Sequence, residues 1–109
     1  MPESVERAAL TEAVFYILLS MHVPTHGYAV MQNIGRISGG RVILGPGTLY
    51  GAINTLLEKR WIEMVVADGG SRKKEYVITD AGKSAVNSEI QRLEELLQNG
   101  KHIVGGVER

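Results

Sequence analysis

Residues 44–62, LGPGTLYGAINTLLEKRWI, decide how the rest of the chain is read. On a helical wheel at about 100° per residue, Leu49, Ile53, Leu56 and Leu57 fall on one side, a stripe wide enough to face a core. The opposite side holds Gly47, Thr48, Gly51, Asn54, Thr55 and Glu58. Glycines, short hydroxyls and an amide let a second surface come very close, which suits a groove better than open water. The stretch is therefore a candidate recognition helix. Pro46, after the turn at Gly45, stands at a first helical position whose N–H has no intrahelical partner in any case.

Immediately downstream the apolar period drops from 3.6 to 2. Ile62, Met64 and Val66 alternate with Glu63, Val65 and Ala67; further on, Lys74, Tyr76 and Ile78 alternate with Glu75, Val77 and Thr79. Between them Asp68-Gly69-Gly70-Ser71 supplies the glycines of a tight turn. The pattern predicts a β-hairpin with Arg72, Lys73 and Lys74 beside its tip.

Upstream, Val14, Ile17, Leu18 and Met21 recur at helical spacing, with Thr11 placed to cap and Glu12 in the first turn. Phe15 and Leu19 widen the stripe, so this first helix is expected to be central or shared with a second subunit, and to end at Pro24. Thr25 is expected to cap a second helix reaching Ser38, with Tyr28, Met31, Ile34 and Ile37 inward and Gly39-Gly40 as its stop. Residues 41–44, β-branched and short, read as a small strand.

After the hairpin, Thr79 caps a fourth helix expected over residues 80 to about 98, stopped by Asn99-Gly100, with the tail KHIVGGVER loosely ordered. Its apolar positions Val86, Ile90, Leu93 and Leu97 are spaced four, three and four, a heptad-like seam too short to stand alone. That seam calls for a partner surface.

With 109 residues and 44% hydrophobic content the chain is expected to form one compact unit. Cysteine is absent, which removes disulfides and thiolate chemistry. No apolar run approaches the roughly 18 residues of a membrane span, and the acidic N-terminus is unlike a signal peptide, so a cytoplasmic protein without a membrane partner is expected. Net charge is zero, but residues 36–74 hold seven bases against three acids while the flanking thirds are each net acidic. The basic third contains the candidate recognition helix.

Catalysis is not expected. His22 and His26 are separated by Pro24 and do not share a helix face as zinc-binding pairs do. GPGTLYG misses the dinucleotide fingerprint by one residue and lacks the Lys-Ser/Thr of a phosphate loop. No nucleophilic triad is visible, and neither a metal nor another cofactor is implied.

Three helices, the third with a small polar outer face, followed by a hairpin with basic residues near its tip, make a mostly α chain with a small β-hairpin, an α+β winged helix-turn-helix. In that layout the third helix enters the major groove and the hairpin reaches flanking phosphates. On residues 10 to about 97 the chain resembles the short-tailed PadR-family transcriptional regulators: LTEAVFYILLSM, HGYAVMQNI, GGRVILGPGTLYGAINTLLEKRWIE and RKKEYVITDAGK occur in that order and spacing. The resemblance implies a homodimeric repressor on a pseudo-palindromic duplex DNA operator, with residues 1–79 as the DNA-binding unit and 80–109 as a dimerisation helix and tail. It places Gly47, Thr48, Tyr50, Gly51 and Asn54 at the groove and Arg72 and Lys73 on phosphates. The dimer interface it implies comes from the last helix and the first, through Phe15, Val86, Ile90, Leu93 and Leu97. By the same analogy a small-molecule effector is implied, of no particular identity. Some relatives hold flat aromatic drugs against tryptophans of the last helix; this fourth helix has no aromatic residue, and that site is not carried over.

Departures from the family pattern shift the emphasis. No positive charge stands in the middle of the third helix, so base readout would lean on Asn54, which can pair with adenine, and on the methyls of Thr48 or Thr55. Arg60 stands where relatives have glycine, which makes a left-handed residue there costly. Three features also have plainer readings: the basic trio as a solvated turn, Tyr50 as packing with its hydroxyl exposed, and Trp61 and Tyr28 as core. A winged helix used for protein contact, its basic hairpin on an acidic partner, is the competing function.

Overall fold

A computed structural model describes residues 9–66 and 74–106. Four helices and one hairpin follow in the order α1 (Glu12–Ser20), α2 (Gly27–Ile37), α3 (Pro46–Glu58), β1 (Ile62–Val65), β2 (Glu75–Ile78) and α4 (Asp80–Val104). The expected α+β winged-helix layout is the one observed. Arg72, Lys73 and the turn at 68–71 lie outside the described residues.

Each predicted cap on α1 and α4 is formed by its hydroxyl. Thr11 Oγ1 accepts from Val14 N–H at 3.1 Å, and Thr79 Oγ1 accepts from Gly82 N–H at 3.1 Å while donating to Arg60 O at 2.7 Å. Ile17, Leu18 and Met21 bury fully against Val30, Ile34, Leu49, Ile53 and Leu56, and Ile62, Tyr76, Ile78 and Val86 close the same core. This single cluster draws on every element, so the helices are held by one shared burial of apolar area.

Helix α1 ends at Ser20 with Met21 as its C-cap and Pro24 just beyond, as expected, and the His22 ring nitrogen Nδ1 lies 3.1 Å from Leu18 O and 3.2 Å from Leu19 O, among the carbonyls the helix end exposes. Several other expectations are corrected. Thr25 does not cap α2. His26 does, its Nδ1 accepting from Ala29 N–H, because the Thr25 backbone is already bridged to β2: Thr25 N–H donates to Tyr76 O at 3.0 Å and Tyr76 N–H to Thr25 O at 2.7 Å. Of the expected inner residues of α2, Ile34 is fully buried and Met31 packs against the core, whereas Tyr28 is 61% exposed and Ile37 points outward; Gly27 and Val30 complete the inner face in their place.

Residues 41–44 form no strand, since no neighbouring strand offers backbone partners. They run as an extended link in which Val42 and Leu44 face the core and Ile43 faces out. Val42 N–H bonds the Ser38 hydroxyl at 3.0 Å, and Arg41 pairs with both Glu12 carboxylate oxygens, tying the link to the start of α1. That pairing holds the Glu12 carboxyl below its usual range. Gly39 and Gly40 do end α2, at φ of 65° and 81°.

The hairpin is antiparallel with Ile62 opposite Ile78, Glu63 opposite Val77, Met64 opposite Tyr76 and Val65 opposite Glu75. Burial alternates along β2, but on β1 only Ile62 is buried; Met64 is half exposed and Val66 is 91% exposed. Strand β1 thus leaves the core after Ile62, while β2 stays in it as far as Tyr76.

Helix α4 runs through Asn99-Gly100 to Val104, longer than expected, and stops at Gly105, with Gly106 at φ 74°. One glycine within a helix costs about 1 kcal/mol, too little to end it, whereas two successive glycines, one at positive φ, do. Of the tail expected to be loose, residues 101–104 are therefore helical. The radius of gyration is 16.5 Å, against about 13 Å for a compact chain of this size. On α4 no described residue beyond Glu89 is buried.

Candidate nucleic-acid interface

Leu49, Ile53 and Leu56 anchor α3 to the core, and this fixes which way its other side points. Gly47, Thr48, Gly51, Asn54, Thr55 and Glu58 are all exposed, the division expected from the wheel. A Cβ added at Gly47 or Gly51 would meet nothing within 4 Å outside its own helix backbone, and neither glycine has a positive φ. The protein's own packing and backbone therefore do not require these glycines, although each destabilises a helix interior by roughly 1 kcal/mol relative to alanine. Gly35 and Gly100 are equally open, so it is the company of Thr48, Asn54 and Thr55 on the same face that distinguishes α3.

The N-terminal end of α3 is open as well. Gly45 provides no side-chain cap, Pro46 occupies the first turn, and no acid stands there. The first-turn N–H groups and the positive end of the helix dipole remain free to meet an anion such as a backbone phosphate. At the far end, Lys59 and Arg60 are exposed. Lys59 Nζ lies 4.9 Å from the centre of the Trp61 ring, which holds the amine beside the helix end.

Helix α3 ends on Arg60 at φ 62°, the left-handed conformation that glycine adopts without cost. Arg60 N–H bonds Leu57 O at 3.0 Å and Trp61 N–H bonds Leu56 O at 3.1 Å, the paired bonds of a Schellman stop. Trp61 packs half-buried against the core, as its plainer reading held. Its carbonyl then receives Thr79 N–H at 2.9 Å, so the end of α3, the base of the wing and the start of α4 are joined at one point.

Tyr50 lies on the edge between the two faces of α3, 44% exposed, with its ring against Gly27 at the start of α2. The two wing residues assigned to phosphate, Arg72 and Lys73, lie outside the described residues; Lys74, the third of the basic trio, is exposed. Phe15 is half-buried on α1, while Ile90, Leu93 and Leu97 are 38%, 42% and 54% exposed on α4. The sequence reading missed Glu89. Only 5% exposed, it accepts two bonds from Arg92, at 2.9 and 2.6 Å, and these hold its carboxyl below the usual range. A glutamate in a helix flank gives no sequence signal of burial when its partner, at i+3, is equally ordinary.

Fold and face together define a winged-helix protein of the DNA-binding class. Residues 15–88 match the family described as the transcriptional regulator PadR-like family. The chain belongs to that family of transcriptional regulators. A relative from Streptomyces fradiae, an uncharacterised 37.1 kDa protein of transposon TN4556, is 36% identical over 73 residues; these are 67% of this chain but 20% of the relative's length. The chain thus spans about a fifth of that curated relative.

Among solved structures, a PadR-like transcription factor from Bacteroides fragilis superposes with a TM-score of 0.70 at 23% identity, covering 92% of this chain and 94% of that one. A PadR-family regulator from Eggerthella lenta gives 0.67 at 22% identity, covering 87% and 82%, and a transcriptional regulator from Clostridium thermocellum gives 0.65 at 23%, covering 89% and 93%. These likenesses carry the fold. Among the described residues no helix is long and apolar enough to cross a membrane.

Proposed function

We propose that the chain is a sequence-specific repressor that binds duplex DNA as a cytoplasmic homodimer, with the outer face of α3 in the major groove and the wing on flanking phosphates. The observation that carries this reading is the pair of open glycines, Gly47 and Gly51, beside Thr48 and Asn54 on a helix whose opposite face is locked into the core. A surface that gives up helix stability for closeness needs something to be close to. Asn54 is the base reader, through a bidentate pair with adenine, and Thr48 supplies a hydroxyl and methyl. Affinity comes from the uncapped start of α3, from Lys59 and Arg60 at its end, and from Arg72 and Lys73.

Homodimerisation is the second part of the proposal, through Phe15 of α1 and Ile90, Leu93 and Leu97 of α4; Val86, the first position of the expected seam, is buried in the subunit's own core and is dropped from the contact set. Residues 1–79 then serve as the DNA-binding unit and 80–109 as the dimerisation helix. A two-fold dimer reads a pseudo-palindrome whose half-sites lie about one helical turn, or a multiple of it, apart. Control by a small-molecule effector belongs to the same reading through the family resemblance alone.

The exposed Met64 and Val66 favour one alternative, a wing that contacts protein. Selection of bound sequences from a random duplex pool separates the two. The DNA reading predicts enrichment of an inverted repeat, and binding of the enriched duplex that falls with salt at a log–log slope of about −0.9 per phosphate neutralised. Alanine at Arg72 and Lys73 flattens that slope. Asn54→Ala weakens binding of the enriched duplex by about 1–3 kcal/mol and spares random duplex. No enrichment, and no duplex binding at low salt and micromolar protein, would overturn the proposal.

A further inference from the structure

Two glycines among the described residues sit under close contacts, in contrast to the open pair on α3: Gly82 against backbone, Gly27 against the outer end of a tyrosine ring. At Gly82 a Cβ would stand 2.7 Å from Ile78 Cγ1 and closer still to the Trp61 carbonyl oxygen. At Gly27, the first residue of α2, it would stand 2.7 Å from Tyr50 Cζ, 3.1 Å from Cε1 and closer still to the hydroxyl. The Gly82 contact joins the wing to α4. The Gly27 contact joins the two helices of the helix-turn-helix itself.

The surroundings make Tyr50 a spacer. The start of α2 is held independently of α3, by the Thr25 bridge to Tyr76 and by the His26 cap. The start of α3 lacks a side-chain cap, so Leu49 beneath and Tyr50 beside are what fix its first turn. The ring thus meets the start of α2 from one turn into α3. Each residue of a helix is about 100° from the next, so the contact that stops α3 turning or sliding also aims Thr48, Gly51 and Asn54. Hydrogen bonds to base edges weaken steeply off their line, and small errors in that aim are read as lost sequence discrimination.

Building on the DNA-binding reading above, we propose that Tyr50 is a positioning residue. Its ring, seated on the bare backbone of Gly27, sets α3 relative to α2, and it governs sequence-specific binding through that contact without a hydroxyl bond to DNA. The co-occurrence of HGY and GTLY in the chain is then a lock and its key. The glycine makes room for the ring, and the ring fixes the reading helix.

The test compares the full-length protein with Tyr50→Phe, Tyr50→Leu, Gly27→Ala and the double variant Gly27→Ala/Tyr50→Leu. Binding to the duplex enriched from a random pool, binding to random duplex and thermal melting are measured for each. Tyr50→Phe keeps the ring and is expected to bind the enriched duplex within about twofold of the native protein. Gly27→Ala is expected to lose at least about tenfold on the enriched duplex and less than about threefold on random duplex. In the Tyr50→Leu background, where Cζ and the hydroxyl are gone, adding Gly27→Ala is expected to cost less than about twofold. If Gly27→Ala does not fold, a double variant that folds and binds like Tyr50→Leu supports the lock, and a double variant that also fails overturns it. A tenfold loss in Tyr50→Phe, or the same Gly27→Ala penalty in both backgrounds, overturns the proposal while leaving DNA binding intact. A native protein that binds no duplex overturns the DNA-binding reading itself, and the positioning role with it.

Discussion

Helices α3 and α4 are each anchored along one apolar stripe, yet they leave opposite chemistry outside. On α3 the buried Leu49, Ile53 and Leu56 are backed by glycine, hydroxyl and amide groups. On α4 the buried Gly82, Val86 and Glu89 give way, further along, to exposed Leu93, Leu97, Ile103 and Val104. An outer face of small polar groups fits a hydrated, hydrogen-bonding surface at short range. A row of uncovered aliphatic side chains fits another apolar surface, because burial of each is worth about 1.5–3 kcal/mol. The two helices therefore point to two partners of different kinds.

The largest effect that can break this contrast lies on α4. Leu93→Glu puts a charge into the proposed interface twice, once per subunit, because a two-fold contact repeats every substitution. Light scattering is expected to show monomers at micromolar concentration, with helix content unchanged; a dimer that survives Leu93→Glu places the interface elsewhere.

A second effect comes from the buried end of the same helix. Glu89 is held below its usual carboxyl range by Arg92, so its folded value lies under the ordinary 4.5. Its contribution is complete above about pH 4.5 and fades as pH falls through the lower folded value. Glu12, lowered by Arg41, adds in the same direction. Denaturation across about pH 3–6 is expected to show stability declining with acid, and Glu89→Gln is expected to show a shallower decline. Equal slopes for the two proteins would remove Glu89 from the account.

The smaller effect sharpens α3. Arg60 holds a left-handed conformation that costs a non-glycine residue about 1–2 kcal/mol. Arg60→Gly is expected to raise unfolding free energy by about 1 kcal/mol in chemical denaturation. A destabilised Arg60→Gly would mean that the side chain contributes more than its backbone costs.

These outcomes bear on what the chain reveals unaided. Periodicity was enough for the helices, the hairpin and the two faces of α3, because apolar spacing and a change of period are local signals. It failed where two local solutions were equally good. At the margins of the inner face of α2, spacing admits Tyr28 and Ile37 as readily as Gly27 and Val30, and only tertiary packing, with Tyr50 on Gly27, separates them. Thr25 and His26 were both able to cap, and a backbone bridge to a strand far along the chain took Thr25 out of contention. Asn99-Gly100 resembled a stop until Gly105-Gly106 proved the stronger one. The open glycines of α3 read alike in sequence and structure, but only the structure separates them from Gly27 and Gly82, which carry the same letter for the opposite reason.

That separation can be measured directly with Gly51→Leu, which adds a neutral side chain to the open face of α3. Leucine is the better helix former by somewhat under about 1 kcal/mol, and nothing in the fold stands within 4 Å of its Cβ. The expected result is a protein that melts at or above the native temperature and binds the enriched duplex at least about tenfold more weakly, roughly 1.4 kcal/mol or more. A Gly51→Leu protein that binds that duplex as tightly as the native one would contradict the assignment of this face to DNA.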